Sequence, residues 1–362
     1  MIKKIVLGLT GVVVIVAASG AWFFSLLDRS YRAENFASFT PRQLPYLAGA
    51  VKEQRGKILA VVTSANRMGT SDKSTGYELT ELSRAYYVFV ANGFEVDIAS
   101  PQGGEPPVVI DDDDMGPYDY AFLNDPVARQ KVVATIPTAQ VNAADYAAVY
   151  FVGGKGAMFD FPDDPAIQQL VKNLYQNDKV VGAVCHGPAA LVNVTLDDGR
   201  GLLENKKVSS FTNDEELFLI PDARDLFPFL LQDKLIAGGA TFEAGLTYLE
   251  QVSHDGNLIT GQNPWSVWPL AEAMIAQLGY TPIPRQITGD EHSVAILATY
   301  QEQGYATARE QLEMLVGRQQ ANVNRNLIAM HGIVAAMRGD VASSFQLVRL
   351  VAVAKRLQES TP

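Results

Sequence analysis

The chain has 362 residues and a formal net charge of −11, a balance that disfavours nucleic-acid binding because such binding needs a basic face. Its single cysteine excludes an internal disulfide and any cysteine-rich metal site. Hydrophobic residues make up 48% of the chain, which is typical of a folded protein with one large domain or two smaller ones.

The N-terminal segment is predicted to be a targeting element outside the folded domains. Lys3 and Lys4 precede an uncharged run from Ile5 to Leu27, which exceeds the ~7–15 residues of a signal-peptide core and suits a membrane span of ~20. We interpret residues 1–27 as an uncleaved transmembrane anchor that leaves the folded part of the chain outside the cytoplasm. Secretion after signal cleavage is the alternative, because residues 17–21 are small. Residues 28–55 are predicted to be a tether.

Short apolar runs alternate with amphipathic segments over residues 56–280. Strands are predicted at 57–63, 94–100, 147–152 and 179–184, and helices at 76–92 and 165–176. This alternation predicts an α/β domain with a flavodoxin-like parallel sheet sandwiched by helices. In such sheets, functional groups collect at the carboxyl ends of the strands.

Residues 101–146 interrupt this alternation and are predicted to form an insertion with a short helix near 125–135. Asp111 to Asp114 lack the ligand spacing of a calcium loop, so they predict a solvated loop. No metal site is predicted anywhere in the chain.

A helical C-terminal extension is predicted over residues 281–362. Thr281 to Pro284 form a proline-rich linker, and helical spacing follows at 294–316, 324–338 and 341–357. Because basic and acidic residues nearly balance there, we expect packing against the main domain or a protein partner rather than DNA reading.

The only cysteine, Cys185, follows a predicted strand and precedes His186-Gly187-Pro188. A sharp strand-to-helix turn at this point has the geometry of a nucleophile elbow. We expect the helix N-terminus to favour the Cys185 thiolate. The backbone N–H groups of His186 and of Gly153-Gly154 are the candidate donors to an oxyanion.

The segment Ala183–Ala189 resembles the nucleophile motif of the ThiJ/PfpI superfamily, which shares the class I glutamine amidotransferase fold. The resemblance covers roughly residues 56–279 and is closest to the branch of heat-shock chaperones and glutathione-independent glyoxalases. Five further segments of the chain match motifs of this superfamily: 75–81, 92–101, 153–162, 210–216 and 259–264.

The resemblance implies roles for particular residues. Cys185 matches the nucleophile and His186 the adjacent histidine. Glu81 matches the buried glutamate that touches the sulfur, with Glu78 as its rival. Glu216 matches the acid that orients the histidine. Its rivals are two neighbouring acidic residues, Asp214 and Glu215.

Two departures from the family pattern affect the predicted pocket. Lys155 stands where close relatives carry histidine, which puts substrate choice in doubt. Trp265 and Trp268 are bulkier than expected, so they narrow the pocket, pack under the C-terminal helices or pack in the core.

In the glyoxalase interpretation, Cys185 adds to a small 2-oxoaldehyde such as methylglyoxal and Glu81 moves a proton between two carbons, so that a 2-hydroxy acid is released. An amidase or peptidase acting through Cys185 is one alternative. A non-enzymatic, membrane-tethered chaperone or redox sensor is the other. No cofactor is implied. Family members often pair, so the resemblance leaves open a homodimer or a monomer in which the C-terminal helices block the usual interface.

Overall fold

The computed structural model describes residues 20–29, 33–111 and 114–360. The chain divides into two units. An α/β unit spans Ala33–Arg285, and a helical unit joins the N-terminal segment to the residues from Gln286 onward.

The α/β unit is built on a seven-stranded sheet. Its strands are β1 Lys57–Val61, β3 Glu95–Ser100, β5 Ile136–Pro137, β6 Ala148–Phe151, β7 Val180–Val184, β10 Val252–Asp255 and β11 Leu258–Gly261, and the two minor sheets pair β2 Tyr77–Glu78 with β4 Val108–Val109 and β8 Lys207–Val208 with β9 Thr241–Phe242. The order in the main sheet is β10-β11-β7-β6-β1-β3-β5, and every neighbouring pair is parallel except β10 with β11. This confirms the predicted α/β fold with a mostly parallel sheet.

Helices cover both faces of the main sheet, which explains why its central strands are continuous apolar runs. The helices of this unit are α1 Ala33–Phe36, α2 Pro45–Ala48, α3 Leu79–Ala91, α4 Pro117–Leu123, α5 Pro126–Val133, α6 Ala157–Asp160, α7 Pro165–Gln176, α8 Asn213–Leu219, α9 Ala223–Leu226, α10 Leu231–Ala237 and α11 Val267–Gln277. Buried residues of α3 and α11 pack on one face, and those of α7 pack on the other. The core of this unit therefore consists of two apolar layers, one on each face of the sheet.

The described part of the segment from 101 to 146 contains one more α-helix than predicted, together with 3₁₀ helices at Thr138–Gln140 and Ala143–Asp145. The expected helix is α5, and the additional helix is α4, which precedes it. Pro117 is the first residue of α4, and the Gly116 N–H donates to the Asp119 carboxylate at 2.8 Å, which stabilises the start of the helix. Residues 112 and 113 of the aspartate run lie outside the described residues.

The helical unit contains α12 Gly289–Gln303, α13 Tyr305–Leu312, α14 Arg325–Met337 and α15 Val341–Ser360, with a π-helical segment at Glu313–Arg318. The predicted break at Gly339 is present between α14 and α15, and its φ of 82° suits glycine.

The described end of the N-terminal segment is part of the helical unit, so residues 1–27 are not wholly outside the fold as expected. Lys355 Nζ donates to the Ser25 carbonyl at 2.7 Å, and the Asp28 N–H donates to Asn326 Oδ1 at 2.6 Å. Among residues 20–29, 33–111 and 114–360, no helix is both long and apolar enough to cross a bilayer. Residues 1–19 of the predicted anchor lie outside the described residues.

Candidate active site

Cys185 occupies a strained turn directly after β7. Its φ of 58° lies in the left-handed region, which is unusual for a residue other than glycine. Two backbone hydrogen bonds hold it there: its N–H donates to the Gly261 carbonyl at 2.9 Å, and the Phe211 N–H donates to its carbonyl at 2.9 Å. The turn continues into a five-residue 3₁₀ helix, Gly187–Leu191.

His186 links the thiol of Cys185 to the carboxyl group of Glu216. Cys185 Sγ lies 3.3 Å from His186 Nδ1, and His186 Nε2 lies 2.6 Å from Glu216 Oε2. An ionised carboxylate only accepts hydrogen bonds, so it selects the tautomer with hydrogen on Nε2. Nδ1 then faces the thiol as a proton acceptor. The ring of Phe211, centred 4.9 Å from the imidazole, fixes the ring plane.

Glu81 lies on the other side of the thiol and is fully buried. Its Oε2 accepts the Gly153 N–H at 2.8 Å, while the Tyr150 hydroxyl donates to its backbone carbonyl at 2.9 Å. A Cβ at position 153 would collide with Glu81 Oε2 and lie 2.8 Å from the Cβ of Cys185. Only glycine therefore lets these two side chains approach.

Burial raises the pKa of Glu81 well above its usual value, and the charge of Glu78 raises it further. Burial also raises the pKa of the Cys185 thiol well above its usual value, followed by the charges of Glu81 and Glu78. The prediction that the surroundings of Cys185 favour the thiolate is therefore wrong. The helix after Cys185 is too short to outweigh burial and two carboxyl groups.

Glu78 was expected to be only a rival of Glu81, but both act on the thiol. Glu78 is the last residue of β2 and occupies the N-cap position of α3, three residues before Glu81, without a capping hydrogen bond from its side chain. Burial raises its pKa to about 7, and the ammonium group of Lys155 opposes that rise. Side chains at the N-cap and N3 positions of a helix lie close together. The three-residue spacing of Glu78 and Glu81 was therefore the sequence signal that both carboxyl groups lie near the thiol.

Among the three candidate acids after Phe211, only Glu216 reaches His186. Glu215 is buried and accepts hydrogen bonds from the Tyr248 N–H at 2.7 Å and from Asn263 Nδ2 at 3.0 Å. Asp214 accepts from Thr247 Oγ1 at 2.9 Å. Both of these acids therefore hold surrounding loops, and neither contacts the histidine.

The predicted oxyanion donors differ in availability. The Gly153 N–H donates to Glu81, so it is occupied in this state. This leaves the N–H groups of Gly154 and His186 as the candidates. The described residues contain no group of three or more histidine, cysteine or acidic side chains arranged to hold a metal ion.

The two tryptophans have different surroundings. Trp268 is buried against Tyr118, with ring centroids 4.9 Å apart, so it packs in the core. Trp265 is also largely buried, and the guanidinium of Arg84 lies 5.8 Å from the centre of its ring. Lys155 is partly exposed beside the glycine turn.

Comparisons with known proteins agree with this architecture. The sequence model described as the DJ-1/PfpI family matches residues 73–277. The glutathione-independent glyoxalase HSP31 of Saccharomyces cerevisiae is 33% identical over 61% of this chain and 98% of its own length. A crystal structure of a Francisella tularensis protein, rapid encystment protein 24 kDa, is 35% identical with a TM-score of 0.59, and it covers 62% of this chain and 99% of that one. Glyoxalase III of Candida albicans is 28% identical with a TM-score of 0.55, over 61% and 97%. The chain belongs to the DJ-1/PfpI family.

Proposed function

We propose that this protein is a glutathione-independent glyoxalase, a lyase-type enzyme that converts methylglyoxal-like 2-oxoaldehydes into 2-hydroxy acids. The observation that carries the proposal is the position of Cys185 between a histidine and a buried carboxyl group. The names of two relatives, in Saccharomyces cerevisiae and Candida albicans, support the same activity and an enzyme of the lyase class.

The reaction begins with addition of the Cys185 sulfur to the aldehyde carbon. His186 Nδ1 takes the thiol proton, and Glu216 stabilises the resulting imidazolium through Nε2. Because its pKa is raised, Glu81 still carries a proton and can give it to the aldehyde oxygen. The product of this step is a hemithioacetal with one new C–S bond.

The second stage moves hydrogen between two carbons of the substrate. Glu81, now a carboxylate, removes the proton from the carbon bonded to sulfur while the His186 imidazolium gives its proton to the ketone oxygen, so that an enediol forms. Glu81 then returns a proton to the neighbouring carbon, and the hydroxyl group on the carbon bonded to sulfur gives its proton to His186, which leaves a 2-hydroxyacyl thioester of Cys185. Water then adds to the thioester carbonyl, the C–S bond breaks, and Cys185 regains its proton as the 2-hydroxy acid leaves.

The test uses the purified full-length protein and methylglyoxal without glutathione, with D-lactate as the measured product. We expect the unaltered protein to form D-lactate and Cys185→Ser to lose at least about 100-fold in rate. Circular dichroism of both proteins checks that they are folded. No D-lactate from a folded unaltered protein would contradict the proposal, and turnover of amide substrates instead would indicate a hydrolase.

A further inference from the structure

We propose that Glu78 is a proton-relay residue, which carries a proton between the buried Glu81 and solvent in each catalytic cycle. This inference rests on the proposed function and adds a residue to it. It follows from the proton balance of the reaction and from the exposure of the side chains around the thiol.

The overall reaction releases one proton. Water and a 2-oxoaldehyde give a 2-hydroxy acid, and that acid ionises at neutral pH because carboxyl groups have pKa values near 4. We infer that the product leaves in its ionised form, so that this proton stays behind in a largely closed site, in which Cys185 is 4% exposed, His186 is 2% exposed and Glu81 is fully buried. Because these three groups expose so little surface, a further group is needed to pass the proton to solvent.

Glu78 connects this closed site to the surface. It lies at the N-cap of α3 and Glu81 at N3, so the two carboxyl groups leave the helix on the same side. Its N–H donates to the Gly153 carbonyl at 3.3 Å, which places its backbone against the turn that also holds Glu81. Unlike Glu81, Glu78 is partly exposed to solvent.

The charges around Glu78 suit reversible proton transfer. Lys155, on the turn after β6, stabilises its ionised form, whereas Asp111 and Asp114, after β4, destabilise it. Glu81 on α3 and Cys185 after β7 both feel the charge of Glu78. Burial, which is the largest cause, together with these charges gives Glu78 a pKa of about 7, so it both accepts and releases protons readily at neutral pH.

The main test measures kcat for D-lactate formation at pH 7 in dilute buffer. We expect Glu78→Ala to lower kcat at least about tenfold with little change in KM, because proton exit becomes limiting. Imidazole at increasing concentration and constant ionic strength should restore the rate of this variant while leaving the unaltered protein unchanged. Glu105→Gln, at an exposed carboxyl outside the site, is the matched control.

A second measurement does not depend on turnover. Because the charge of Glu78 raises the pKa of Cys185 and Lys155 lowers it, iodoacetamide should alkylate Cys185 faster in Glu78→Gln and more slowly in Lys155→Met at pH 8. The chain has one cysteine, so intact mass reports this reaction alone.

The outcomes separate the two proposals. Loss of activity in Glu78→Ala that imidazole does not restore would mean a structural role and would overturn the relay, as would an unchanged kcat in dilute buffer. Unchanged alkylation rates would overturn the electrostatic coupling. Absence of D-lactate from the unaltered protein would overturn the glyoxalase proposal and the relay together, whereas failure of the relay alone leaves that product in place.

Discussion

Replacement of Glu81 by glutamine separates the chemistry of this carboxyl group from its packing. Glutamine has nearly the same shape, and its side-chain oxygen can still accept the Gly153 N–H, which lies 2.8 Å from Oε2. The hydrogen bond from the Tyr150 hydroxyl is also kept because it goes to the backbone carbonyl. The change therefore removes a proton donor and acceptor from a fully buried position without opening a cavity.

We expect Glu81→Gln to lower the rate of D-lactate formation by about 10²–10⁴-fold, the usual contribution of a general acid–base group. The same substitution should raise the free energy of unfolding. The folded protein holds the Glu81 proton above the pH at which the unfolded chain releases it, because burial raises the pKa. The stability of the unaltered protein therefore falls as pH rises above the ordinary carboxyl range, by up to about 1.4 kcal/mol per pH unit.

Glutamine does not ionise, so the unfolding free energy of the variant should lack this decrease with pH. Urea unfolding at pH 5, 6 and 7 measures it, and the advantage of Glu81→Gln over the unaltered protein should grow with pH. Glu105→Gln, at an exposed carboxyl, should show neither effect. A pH-independent stability difference, or activity within about threefold of the unaltered protein, would refute this assignment of Glu81.

Two further substitutions test the geometry around the thiol. Gly153→Ala should lower the free energy of unfolding by about 1–3 kcal/mol, because the added Cβ would lie 2.7 Å from the Val184 carbonyl and collide with Glu81. It should also reduce activity, because Glu81 has to move. Gly49→Ala is its control, since its Cβ meets only a carbonyl oxygen at 3.7 Å, and equal thermal shifts in the two variants would contradict the packing. Glu216→Gln should reduce activity by about 10²–10⁴-fold with little loss of stability, since an amide no longer fixes the histidine tautomer. Glu215→Gln should lower the free energy of unfolding by at least about 2 kcal/mol, because buried donors lose their acceptor. A large loss of stability in Glu216→Gln and a large loss of activity in Glu215→Gln would show that the two roles are exchanged.

The fold was predictable where local signals and apolar patterns agree. Helix α7 has the bounds expected from the sequence, since Asp164 caps its first turn and Pro165 occupies the first helical position. Strands β1, β3, β6 and β7 of the main sheet were predicted from their apolar runs, whereas the short strand β5 and the hairpin of β10 and β11 were not. Helix α4 was not predicted, because it has only seven residues and lies in the segment that interrupts the alternation of strands and helices.

The members of the candidate site were predictable, but their ionisation was not. Cys185 and His186 are adjacent in the sequence, and the resemblance to the ThiJ/PfpI superfamily implied Glu81 and Glu216. The pKa of the thiol depends on burial and on charges from α3, which a local view of the strand and the following turn omits. The contribution of Glu78 was missed for the same reason.

The most direct test of the central claim titrates Cys185 in the unaltered protein. Iodoacetamide is added in increasing amounts, intact mass gives the alkylated fraction, and D-lactate formation from methylglyoxal is measured for each sample. Because the chain has a single cysteine, we predict that activity falls in proportion to that fraction and reaches zero at one alkyl group per chain. Activity that persists in the fully alkylated, folded protein would contradict a nucleophilic role for Cys185.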